Sequence, residues 1–335
     1  MLLETIAPIE ANRPPLKPAE VPDPHPGPGE VRIRVSACGV CHTEIDEIEG
    51  RTRPPTLPVI PGHEVVGHVD ELGEGATLFA PGDRVGVGWI HTSSGGEFEN
   101  LSADFRATGR DANGGYAEYM TVPERYAYPI PAVFSDVEAA PLLCAGAIGY
   151  RALRLCGLSN GDALGLTGFG GSAHIVLQLA AHLYPDSPVY VFARDAAARA
   201  FALELGATWS GATEDRAPMQ LQAIIDTTPA WLPIVAALAN LAPGGRLVIN
   251  AIRKEADDKH VLQRLDYAEH LWQEKEIKSV ANICSGDIRE FLPLAAEIPL
   301  RPRVEVYNFT NTNKALQDLR NNPVEGAKVL KLGDG

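Results

Sequence analysis

Residues 163–184 read ALGLTG, then FGGSAH, then a run of apolar residues, IVLQLAAHLY. A short strand, a turn with glycines at 165, 168, 170 and 171, and an apolar helix follow one another without a break. This order constrains the fold more than any other stretch of the chain. A strand that enters a helix through a glycine turn belongs to a β-α-β unit, and such units pack into a parallel sheet with helices on both faces. The residues that follow keep the pattern. VYVFA (189–193) reads as a strand, DAAARAFALELG (195–206) as a helix stopped by Gly206, and AIIDTT (223–228) and GRLVINA (245–251) as further strands. The glycine turn suits a pyrophosphate, because glycines let the backbone approach and the helix start offers free N–H groups. Gly165, Gly168 and Gly170 are the expected cofactor contacts.

The end of the second strand should carry the residue that reads the adenosine ribose, an acid where the cofactor is NAD. Asp186 has about the right offset but falls in the loop before the strand. At the strand's end stand Ala193, Arg194 and Asp195. Arg194 can pair with a 2′-phosphate and favours NADP(H). Asp195, one step later, keeps NAD(H) open.

The first half has another texture. VRIRVSAC (31–38), VVGHVDELG (65–73), DRVGVGWI (83–90) and YAEYMTV (116–122) are short alternating runs between Pro- and Gly-rich turns. They predict a β-rich domain. The change comes near residue 145. The expected division is 1–147 with 288–335 for the β-rich domain and 148–287 for the dinucleotide-binding one, an α/β chain overall. Two domains also fit 335 residues.

Composition excludes some partners. A formal net charge of −14 leaves no positive field for nucleic acid or an anionic membrane. No apolar run reaches the 18 or so residues of a membrane span, and the first twenty residues have no signal-peptide pattern. Five cysteines do not make a disulfide framework, so a reducing cytoplasm is the expected location.

Two of those cysteines stand three apart in ACGVCHTEIDEIEG (37–50). A structural zinc ribbon needs a second such pair, which the chain lacks. A thioredoxin-type pair should open a helix of a β-α-β unit, and this one follows a strand of the β-rich half. Further along, PGHEVVGHV (61–69) holds His63 and Glu64, and PLLCAGAIGY (141–150) holds Cys144. A Cys, a His and a second Cys from three distant segments suit a catalytic zinc with an open position.

CGVCHTE, GHEVVGHV, APGDRVGVG, NGGYAEYM, APLLCAGAIGY and GLTGFG stand in this order along nearly the whole chain. In this the sequence resembles the zinc-dependent medium-chain alcohol dehydrogenases. The resemblance implies a GroES-like catalytic domain and a doubly wound Rossmann cofactor domain. It assigns one catalytic zinc to Cys41, His63 and Cys144, and leaves Cys38 a buried strand-end residue. It makes Glu64 a carboxylate able to enter the metal's shell and Glu44 an acid beside the metal ligands. Thr43 becomes the hydroxyl that meets the substrate oxygen, and His42 faces the cofactor pyrophosphate. The implied reaction interconverts a primary or secondary alcohol and its aldehyde or ketone by hydride transfer with NAD(P). Trp89 becomes a wall of the substrate pocket, and a homo-oligomer is expected.

Two departures stand out. The place of the family's relay histidine holds Asp46, a possible acceptor in its stead. The interval 90–115, where relatives carry four cysteines for a structural zinc, contains none. This predicts one zinc per chain and a loose lobe there. The rival is a zinc-free enoyl or quinone reductase of the same fold, which lacks the Cys–His–Cys set. A binding protein that kept only the fold is a further alternative.

Overall fold

The computed structural model describes residues 1–298, 300–322 and 326–333. The chain forms two units. One comprises Met1–Ala147, Ile283–Glu297 and Arg301–Gly335, the other Ile148–Asn282 and Ile298–Leu300.

The first unit is built on β1 (Glu30–Val40), where Val31, Ile33, Val35 and Ala37 alternate inward. A strand of 11 residues is long enough to take three partners. After it come α1 (His42–Ile48), β2 (Val65–Leu72), β3 (Arg84–Val87), β4 (Ile90–Thr92), β5 (Arg106–Ala107), β6 (Tyr119–Pro123) and β7 (Ala127–Pro129). β2 runs antiparallel along one edge of β1, from Val31↔Leu72 to Cys38↔Val65. β6 takes the first half of the other edge. β3 and β7 extend the sheet beyond β2.

α2 (Asp136–Ala139) and a tight turn lead to Cys144 and to α3 (Ala145–Cys156), within which the second unit begins. That unit contains β8 (Leu164–Thr167), α4 (Ala173–Leu183), β9 (Val189–Phe192), α5 (Ala196–Glu204), β10 (Trp209–Gly211), β11 (Leu221–Asp226), α6 (Leu232–Leu238), β12 (Leu241–Ile249) and β13 (Glu276–Ser279). All six strands are parallel, in the order β10-β9-β8-β11-β12-β13. This is the doubly wound order, and it reverses between β8 and β11. The central strands are apolar on both faces because helices cover both: Leu166, Val191, Ile224, Ile225 and Val248 are fully buried. β13 is the exception, an edge strand whose four residues are all exposed.

The chain then returns to the first unit through α7 (Ser285–Glu297), β14 (Val304–Asn308), α8 (Thr312–Asn321) and β15 (Ala327–Lys331). β15 pairs with the second half of β1, from Ala37↔Lys331 to Val40↔Lys328. The α/β class with a β-rich sheet and a doubly wound sheet is thus borne out.

The lobe at 90–115 is tied to the rest of its unit at several points. β4 and β5 pair across it. Glu99, almost fully buried, accepts from the Ser285 backbone N–H (2.5 Å) and from the Tyr126 hydroxyl (3.0 Å). Ser93 donates to the Glu99 carbonyl (2.6 Å), and the Cys284 thiol to the Glu97 carbonyl (3.0 Å). Ser94, Gly95, Gly96 and Glu97 stay exposed, while Ser93, Glu99 and Asn100 are buried. The partners of Glu99 at 126 and 285 lie far along the chain.

Candidate active site

β1 ends at Val40, and Cys41 is still extended (φ −111°, ψ 162°) before α1 begins. In the first turn of α1 the Glu44 carboxylate folds back and accepts from the Cys41 backbone N–H (2.8 Å). Its other oxygen contacts His63 Nδ1. His63 and Glu64 lead into β2, where the Glu64 carbonyl accepts from Gly39 N (2.9 Å). Gly39 must be a glycine, since a Cβ there would lie 1.6 Å from Glu64 Oε2. Cys144 arrives from the turn before α3. One potential ligand atom each from Cys41, His63, Glu64 and Cys144 lie within 4.8 Å of one another.

The groups of this cluster shift one another's protonation. The hydrogen bond from the Cys144 thiol, and then His63, hold the Cys41 thiol well below its usual range despite burial. The same contact and burial push Cys144 well above it. Burial opposes protonation of His63, yet Glu44 and Cys41 raise its pKa well above normal. Burial and the Cys41 charge raise Glu64. Nδ1 of His63 is engaged by Glu44, and Nε2 is buried without a partner. Two sulfurs, an imidazole nitrogen free to bind and a carboxylate form a donor set that fits zinc. Among the described residues no other group of three or more such side chains converges in this way.

The remaining expected residues fall into place around this group. Thr43 is buried, its hydroxyl 3.6 Å from Cys41 Sγ. His42 is exposed at the start of α1. Asp46 is buried and paired with Arg51 (2.7 Å), so it is not a solvated acid. Cys38 is fully buried and is not one of the converging four. Trp89 stands with its ring 6.1 Å from that of His63 and edge-on to Phe105 (5.7 Å).

In the second unit the glycine turn joins β8 to α4. Gly168 has φ +77°, and its N–H donates to the Phe192 carbonyl (2.8 Å) at the end of β9. A Cβ at Gly170 would meet open space, which leaves room for a ligand. Gly165 lies inside β8, and Leu221 and Ile224 fill the space its side chain would take. Its glycine is explained by sheet packing. Arg194 is exposed just past β9, while Asp195 caps α5 by accepting from Ala197 N (3.0 Å). Asp186 bonds Asn160 (2.7 Å) near the start of β9, the end away from a ribose.

Sequence reasoning missed three features. Glu47 is buried with neither carboxylate oxygen hydrogen-bonded, and burial and Glu44 push its pKa well up. Arg199 donates to the carbonyls of Ala193 (2.8 Å) and Arg194 (2.9 Å), a second cation at the end of β9. Asp226 and Lys254 form a buried ion pair at the end of β11. An acid closing the apolar run AIID was the one local hint of the last.

Comparison with known proteins agrees with this geometry. Residues 27–132 match the alcohol dehydrogenase GroES-like domain. A protein of Mycobacterium tuberculosis described as probable alcohol dehydrogenase AdhA is 42% identical over 320 residues, covering 92% of this chain and 90% of its own. An alcohol dehydrogenase of Geobacillus stearothermophilus is 31% identical over 338 residues, covering 97% and 98%. The structure of cinnamyl alcohol dehydrogenase SbCAD4 from Sorghum bicolor superposes with a TM-score of 0.81 at 28% identity, over 94% of each chain. A GroES-like match in the unit that gathers two cysteines and a histidine, a doubly wound second unit, and relatives along nearly the whole length lead to one conclusion: the chain is an alcohol dehydrogenase, an enzyme of alcohol and aldehyde oxidoreduction, and belongs to the zinc-type medium-chain alcohol dehydrogenase family.

Proposed function

We propose that the chain holds one zinc at Cys41, His63 and Cys144, with Glu64 as an exchangeable fourth donor, and interconverts a small primary or secondary alcohol and its carbonyl with NADP(H). The observation that carries this reading is the convergence of ligand atoms from Cys41, His63, Glu64 and Cys144 within 4.8 Å of one another, with Nε2 of His63 buried and unpartnered. When bound, the metal supplies Lewis-acid polarisation of the substrate oxygen, and the nicotinamide supplies hydride exchange.

The chain's own residues do the rest. Glu44 fixes the His63 tautomer through Nδ1, so the Nε2 lone pair is presented. Thr43, with a hydroxyl that both donates and accepts, holds the substrate's hydroxyl proton and passes it on. A relay onward through Asp46 remains part of the proposal, with Arg51 balancing its charge. Trp89 closes the site with apolar surface.

Arg194, exposed at the end of β9 with Ala193 in place of an acid, supports NADP(H). The fully exposed β13 edge, with the half-exposed Trp272 and Ile277 beside and on it, supports a homo-oligomer. Five free cysteines support a cytoplasmic location.

The test is zinc per chain on pure protein, followed by NADPH and NADH oxidation with aldehydes and ketones. About one zinc and chelator-sensitive turnover are expected. Turnover that survives complete removal of zinc would instead identify a zinc-free reductase. Glu44→Gln should weaken zinc binding about 10- to 100-fold, read by competition with a chelator. Arg194→Ala should weaken NADPH about tenfold or more, the loss of a charge-assisted contact, and leave NADH unchanged.

A further inference from the structure

At the point where the second sheet reverses its order, the carboxyl ends of β8, β11 and β12 are tied together. Asp226, fully buried at the end of β11, accepts from the hydroxyls of Thr167 (2.5 Å) and Thr228 (2.8 Å). Its other oxygen is paired with Lys254, whose ammonium also donates to the carbonyls of Thr228 (2.7 Å) and Ala230 (3.1 Å). Glu255 N–H donates to the Pro229 carbonyl (2.7 Å). The segments after β11 and β12 therefore form one strapped wall.

Asn250 stands directly after β12 in that wall. Its backbone N–H donates to the Asp226 carbonyl (2.7 Å), and its Nδ2 to Ser172 Oγ (3.2 Å), next to the start of α4. The residue is 8% exposed, and its Oδ1 is buried with no partner among the described residues. Turning the amide over only exchanges which of its two polar atoms is left alone. A buried amide oxygen held on both sides and left unpaired is unfavourable, and a ligand with a donor would satisfy it. In a doubly wound sheet the half with the glycine turn takes the adenosine mononucleotide, and the other half takes the second mononucleotide. β12 belongs to that other half.

We propose that Asn250 contacts the cofactor, its side-chain amide hydrogen-bonding the nicotinamide riboside half of the dinucleotide, with the Asp226–Lys254 pair holding the wall from which it acts. The proposal rests on the reading that the chain binds a nicotinamide dinucleotide. Its test is fluorescence titration of wild type and Asn250→Ala with NADH and NADPH, and with ADP and 2′,5′-ADP as probes of the adenosine half alone. The variant should bind the preferred dinucleotide roughly 5- to 20-fold more weakly, the loss of one hydrogen bond, and bind the adenosine-half probes unchanged. Asn250→Ser, which keeps a hydroxyl but lacks the reach, should show the same split and carries the test where the alanine variant does not fold. Unchanged dinucleotide binding, or equal weakening of dinucleotide and adenosine-half probes in a folded variant, overturns the assignment. Wild-type protein that binds neither dinucleotide overturns the cofactor reading itself, and this inference with it.

Discussion

Cys41→Ser and Cys144→Ser are each expected to lose zinc and about three orders of magnitude in turnover, while Cys38→Ser keeps both. The magnitude follows from the chemistry the metal supplies. Lewis-acid stabilisation is worth several kcal/mol, and about 1.4 kcal/mol is a factor of ten in rate. The asymmetry between cysteines follows from position. Cys41 and Cys144 offer their sulfurs to the same small volume as His63 and Glu64. Cys38 is fully buried on β1, where burial raises its thiol well above the usual range and a thiolate is disfavoured. Serine at 41 or 144 replaces a soft ligand with a hydroxyl that does not ionise near neutral pH, so the site is left with too few donors. Zinc by elemental analysis, with turnover of the same preparations, decides it. A Cys38→Ser chain without zinc beside a Cys41→Ser chain that retains it would reverse the ligand assignment.

The outline of the fold was legible in the sequence because its signals are local. The period-two alternation of Val31, Ile33, Val35 and Ala37 and the alternation of strands and helices from residue 163 onward each need only a dozen residues to be read. Local composition misled where burial is supplied from far away. The run TEIDEIE is acidic in composition, yet residues 43–48 are all buried in α1. The N-terminal segment covers it, with Ala7 N–H on the Ile48 carbonyl (3.0 Å) and Ile9 N–H on Glu49 (3.0 Å), and Arg320 of α8 reaches the same glutamate (3.2 Å). Glu99 is the same case in the lobe.

The metal group was legible only through resemblance. Nothing in the spacing of 41, 63 and 144 says that the three meet. Their convergence depends on the pairing of β1 with β2 and on the turn before α3, and Gly39 and Glu64 show how tight that convergence is. The glycines needed finer reading as well. Gly165 and Gly168 look alike in the motif, but one serves the sheet and the other the turn.

Lys254→Met is expected to destabilise the second unit by about 3–5 kcal/mol, the range for breaking a buried pair by removing one partner. The side chains are 8% and 0% exposed, so the Asp226 carboxylate would be stranded where water cannot reach it. The two threonine hydroxyls offset only part of that penalty. The double variant Asp226→Asn with Lys254→Met removes both charges and should recover most of the loss, because the cost lies in the uncompensated charge and not in the pair as such. Urea denaturation followed by tryptophan fluorescence suits the measurement. Three of the four tryptophans, Trp209, Trp231 and Trp272, lie in the second unit. A single variant within about 1 kcal/mol of wild type would mean that the pair behaves as a solvated surface bridge, and the strapped wall would lose its anchor. The wall is also what holds Asn250. If the pair is the anchor, Lys254→Met should weaken the dinucleotide at temperatures where the second unit is still folded, and the neutral double variant should restore part of that binding along with the stability.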